Sequence, residues 1–177
     1  MKFLSAICVT ALALGSAAPA LADTYIPATP GVSSITFQGS VLFKKGLSSH
    51  CTFKLVITIP QAAPDGDGIF SHGHSARAAP ALAVPGDFPC SSTTFSAAPY
   101  AVSFNGTFLT ISNVVIATLT PGGCSGTLSG TWGGNAALQR FISFNNASVP
   151  GDGTSEPCTI TGTLYQVSGS PLSITSP

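Results

Sequence analysis

Apolar and polar residues alternate along most of this chain with a period of two, the repeat of a strand that buries one face. Ile35, Phe37, Gly39, Val41 and Phe43 alternate with Thr36, Gln38, Ser40 and Leu42. Phe53, Leu55, Ile57 and Ile59 alternate with Thr52, Lys54, Val56 and Thr58. Pro60, which has no N–H to give a ladder, ends that run. Helical periodicity is almost absent. The same reading predicts strands at 100–104, 107–112, 114–119, 125–132, 140–145 and 159–167.

Turn residues punctuate these runs: Pro121-Gly122-Gly123, Gly133-Gly134-Asn135 and Pro150-Gly151-Asp152-Gly153. The sharpest signal is Asn105-Gly106, because both residues tolerate the positive φ of a type I′ hairpin. A two-residue loop there pairs Phe104 with Thr107, Val102 with Leu109 and Tyr100 with Ile111. A one-residue slip would turn that apolar face outward. About seven or eight short strands predict an all-β chain, a single antiparallel β-sandwich or jelly-roll-like domain. Trp132 and the phenylalanines are expected in its core. The stretch 61–89, rich in Ala, Pro, Gly and Asp, shows no sustained alternation and reads as a long loop. The tail after Gly169 reads as frayed.

The first residues change the picture of where the domain works. Lys2, an apolar run from Phe3 to Leu14 and the small-x-small sequence Ala20-Leu21-Ala22 have the form of an export signal, expected to be cleaved before Asp23. The run is shorter than the roughly 20 apolar residues a spanning helix needs, and no later stretch is long and apolar enough to span. The expected product is a secreted domain, residues 23–177, found in the medium, at the cell surface or in the periplasm. Cleavage would also remove Cys8 and leave Cys51, Cys90, Cys124 and Cys158 in an oxidising compartment, where an even set predicts two disulfides. Of the three possible pairings, Cys51–Cys90 with Cys124–Cys158 is favoured, because each bond closes a loop within one half of the chain. A zinc site is disfavoured, since the cysteines lie far apart without a C-x-x-C pair.

Charge is scarce: 7% of residues against the usual quarter or so, with a net charge of zero. Ser, Thr, Asn and Gly must carry the solubility. No basic excess exists to hold nucleic acid or an anionic membrane. A nearly neutral surface favours self-association.

Candidate chemistry is thin. His72-Gly73-His74 lies near Asp65 and Asp67, residue types that bind zinc or copper, but the loop fixes no geometry. Asp65-Gly66-Asp67-Gly68 lacks the further oxygens and distal Glu of an EF-hand. No Gly-x-Ser-x-Gly elbow is present. A carboxylate pair for glycoside cleavage would have to come from Asp87, Asp152 or Glu156, none of them within a predicted strand. The expectation is a protein without catalytic residues, cofactor or metal. Asn105-Gly106-Thr107 and Asn146-Ala147-Ser148 match the N-glycosylation pattern, which a bacterial export route leaves without a reader.

Several segments together resemble the alkane oxidation protein activators of the PraB family. They are Phe37-Gln38-Gly39, Lys45-Gly46-Leu47 leading into Cys51-Thr52-Phe53, and Pro99-Tyr100-Ala101-Val102. Ile111-Ser112-Asn113-Val114-Val115, Pro121-Gly122-Gly123-Cys124-Ser125-Gly126 and the closing Cys158-Thr159-Ile160-Thr161-Gly162-Thr163-Leu164 complete the set. The resemblance implies a small secreted bacterial protein that helps the cell contact or take up hydrocarbon without oxidising it, with hydrocarbon or cell-surface components as partners. The stretch from Gln61 to Pro89 departs from the family's pattern. The alternative expectation is a structural subunit of a surface fibre or adhesin, its Pro- and Thr-rich arm from Asp23 to Ser34 adding a strand to a neighbour's edge.

Overall fold

A computed structural model describes residues 24–26, 33–59, 76–83, 90–135 and 139–175. Its strands are β1 (Thr24–Ile26), β2 (Ser33–Lys45), β3 (Leu47–Ile59), β4 (Ala76–Ala83), β5 (Thr94–Ser96) and β6 (Tyr100–Phe104), then β7 (Phe108–Ala117), β8 (Cys124–Gly133), β9 (Phe141–Val149), β10 (Cys158–Ser168) and β11 (Ser173–Thr175). A 3₁₀ turn spans Cys90–Ser92.

The main sheet runs β7-β6-β4-β3-β2-β10-β9-β8, and β8 pairs back onto β7. The result is a closed antiparallel barrel of eight strands. With the short β5 set aside, each strand neighbours the next in sequence, so the topology is up-and-down. This corrects the sandwich or jelly-roll expectation. Alternation reports only that each strand has one apolar face; a sandwich and a barrel share that property. What separates them is the pairing of β10 with β2, the last barrel strand with the first, which local pattern does not encode.

An eight-stranded barrel has an interior just wide enough for side chains to fill. Phe37, Phe43, Phe53, Leu55, Ile57, Ile111, Ile116, Leu128, Phe144, Ile160 and Leu164 fill this one. Trp132 is half-buried and meets Phe37 and Phe104 edge-on, with ring centroids 5.8 and 6.3 Å apart. Thr, Ser and Asn occupy most of the alternate, outward positions. An apolar inside and a hydroxyl-rich outside reverse the polarity of a transmembrane barrel, whose outer band is apolar.

Three local differences from the sequence reading have physical causes. The 105–106 hairpin exists, but Phe104 pairs with Leu109 and Val102 with Ile111, a shift of two residues. The Asn105 side chain accepts the N–H groups of Thr107 and Phe108, at 3.1 and 2.7 Å, and this Asx-type turn lengthens the connection. Since the shift is two, the apolar face still points inward. The predicted strands 107–112 and 114–119 are one strand, β7, bulged where Ile111 and Val114 both point inward and Asn113 takes φ 57°. A matching bulge at Asn146, φ 51°, bends β9 against β10. Finally, β4 lies inside the stretch read as a loop. Its inward Ala76, Ala78 and Leu82 alternate with Arg77, Ala79 and Ala81, so alanine on both faces hides the period. The ladder from β4 to β6 covers Ala76–Ala78 and stops before Pro80, the residue without a donor.

Candidate functional site

The barrel's two ends are built differently. At one end lie the turns β2–β3, β7–β8 and β9–β10, together with both disulfides. Cys51 at the start of β3 is bonded to Cys90 in the 3₁₀ turn, and Cys124 on β8 to Cys158 on β10, with Cα atoms 5.6 and 6.0 Å apart. Lys45, the last residue of β2, is only 4% exposed there. Its ammonium donates to the Gly123 carbonyl at 3.1 Å, to the Ser155 hydroxyl at 2.9 Å and to the Glu156 carbonyl. All three protons are used, and the cation binds three turns together. The same end exposes Leu47 and Leu119, at 58% and 63%, which share the rim of one small apolar dimple with Phe43.

At the opposite end a two-stranded ribbon, β1 with β11, covers the barrel. Tyr25 is buried and its hydroxyl donates to the Val102 carbonyl at 3.2 Å, while Leu172 is buried just before β11. The residues Thr24–Ile26 of the arm are therefore paired within their own chain. Each of the eight barrel strands also has a neighbour on both sides, so the closed barrel itself offers little free edge to another subunit.

Beside this ribbon opens a pocket of about 190 Å³, lined among others by Gln139, Arg140, Gln166, Val167 and Pro171. Gln166 shapes one wall. Its Nε2 donates to the carbonyls of Gly169 and Ser170, and its Oε1 accepts the Leu172 N–H. The Arg140 guanidinium carbon lies 5.8 Å from the Trp132 ring centroid, and Nη1 donates to the Gly134 carbonyl. Phe141 covers Gly133, where any β-carbon would strike its ring, and its ring centroid stands 6.2 Å from that of Tyr165.

Among the described residues, the candidates raised from sequence do not converge on a reactive centre. His72, His74, Asp65, Asp67 and Asp87 lie outside the described residues, as does the stretch 1–22. Asp152 accepts the Ser125 hydroxyl at 2.6 Å, and Glu156 takes part in the Lys45 clamp through its backbone. Among the described residues, no three His, Cys, Asp or Glu side chains come together to hold a metal ion. No helix among them is long and apolar enough to cross a membrane. Asn105 and Asn146, from the two glycosylation-like triplets, serve a turn and a bulge. Sequence reasoning gave no role to the Lys45 ammonium or to Arg140, because the partners of each come from turns distant in the chain or carry no motif.

A family model described as alkane oxidation protein activator, PraA/PraB-like, matches residues 1–174. No curated protein and no solved structure matches the chain.

Proposed function

Since the chain belongs to the PraA/PraB-like family of alkane oxidation protein activators, we propose that it is a secreted, non-catalytic accessory protein that helps the cell contact hydrocarbon. The observation that carries this reading is the pair Leu47 and Leu119. Both stand largely exposed and side by side on a shell that is otherwise rich in hydroxyls and poor in charge. Exposed apolar side chains gain about 25 cal/mol for each Å² removed from water, so such a tip is drawn to an oil–water boundary. Two disulfides and a buried clamp hold the same end rigid, so that adsorption need not unfold the barrel. The disulfides also fit an address outside the cytosol.

Deleting the gene tests the reading. Growth on hexadecane and adhesion to it should fall, while growth on a water-soluble carbon source stays unchanged. Unaltered growth and adhesion on hexadecane would refute it.

A further inference from the structure

The pocket beside the β1–β11 ribbon holds a guanidinium that meets no carboxylate among the described residues. Among the described residues the carboxylates are Asp152 and Glu156, and both lie in the β9–β10 turn at the other end of the barrel. Arg140 is nevertheless fixed in place, resting on Trp132 and held through Nη1 by the Gly134 carbonyl. Its Nε is buried and has no hydrogen-bond partner among the described residues. A cation that is positioned, part-desolvated and short of an acceptor is the arrangement by which proteins take up anions. The planar guanidinium fork matches a carboxylate edge in particular.

The walls narrow the choice further. The amide of Gln166 is spent on the 169–172 turn, and Gln139 donates to the Gln166 carbonyl at 3.0 Å. The remaining wall sets Asn135 and Ser168 beside two apolar side chains, Pro171 and Val167, the latter 56% exposed. Such a space of about 190 Å³ suits a head group and a few methylenes rather than a whole drug-sized ligand. Tyr165, two residues before Val167 on β10, pairs with Phe141 of β9, their ring centroids 6.2 Å apart.

We propose that this pocket binds a small aliphatic carboxylate, its head paired with Arg140 and its chain laid over Pro171 and Val167. The inference goes beyond the interfacial role and does not depend on it.

Trp132 is the chain's single tryptophan, so its emission reports on the ligand directly. Sodium octanoate titrated into the full mature protein should change that emission saturably, whereas 1-octanol and inorganic phosphate should not. Arg140→Gln should weaken octanoate binding about tenfold or more. Val167→Asp alters only an exposed side chain, so it should keep the parent melting curve yet weaken binding through charge repulsion. The proposal is overturned if octanoate gives no saturation, if octanol or phosphate binds as well, or if Val167→Asp retains the parent affinity.

Discussion

Gly39 on β2 lies so close to Thr163 on β10 that a β-carbon on Gly39 would sit 2.1 Å from the Thr163 carbonyl oxygen. The position is an inward one in the alternation of β2, between Phe37 and Val41, where a larger residue would otherwise be expected. Its missing side chain lets two neighbouring backbones cross closely as the sheet curls to close. Gly39→Ala must therefore move a backbone, not a flexible side chain. The expected loss is about 1 to 3 kcal/mol, read from the urea midpoint. Wild-type stability in Gly39→Ala would show that the two strands do not approach this closely.

The Lys45 clamp makes a second prediction. Replacing a buried cation by an apolar residue of similar length is often harmless when its partners leave with it. Here the partners are two backbone carbonyls and a serine hydroxyl, which remain. Lys45→Met should cost about 2 to 3 kcal/mol, and by the size of the domain lower Tm by about 5 to 10 °C. A melting temperature equal to that of the parent would mean that water already satisfies the three acceptors.

How much of this was legible beforehand depended on distance along the chain. The inward sets of β2 and β3 could be read directly, since each needs only a residue and its second neighbour. The bulge at Asn113 could not, because the alternation simply restarts at Val114 and looks like a new strand. Strand β4 was lost for a chemical reason: alanine on both faces gives no contrast of polarity. Closure of the barrel was out of reach for a geometric one, because β2 meets β10 through residues more than a hundred positions apart. The two disulfides were legible as an even cysteine count once Cys8, in the expected export signal, was set aside. The Arg140 pocket was not, since it joins the start of β9, the end of β8 and the turn after β10.

The disulfides should be separable in their effects. Cys51–Cys90 and Cys124–Cys158 span 39 and 34 residues, so each should remove about 3 to 4 kcal/mol worth of unfolded-chain entropy. Serine replacements of either pair should lower the urea midpoint by comparable amounts. Loss of the first pair should also expose the 3₁₀ turn to protease, because Cys90 anchors it to β3. Mass spectrometry of the alkylated, unreduced protein should find no blocked thiol among these four cysteines. Four alkylated cysteines would remove both bonds and the oxidising address with them.

The last prediction concerns Leu47 and Leu119 and separates adsorption from folding. Each is more than half exposed, so little packing is lost on substitution, and Leu47→Ser with Leu119→Ser should change stability by no more than about 0.5 kcal/mol per site. At an oil–water boundary the same two side chains enter the apolar phase. Full burial of a leucine yields about 1.5 to 3 kcal/mol, and with part of that surface already covered each should supply about 1 to 2. Losing both should weaken adsorption to hexadecane by about tenfold or more, measured as the bulk protein concentration needed for half-maximal lowering of interfacial tension. Lys44→Ala, which alters a charge on the outward face of the neighbouring strand, serves as the control and should adsorb at least as well as the parent. If the double serine variant lowers the tension as effectively as the parent, the leucine tip is not what meets the oil, and the adsorbing surface must be sought elsewhere on the barrel.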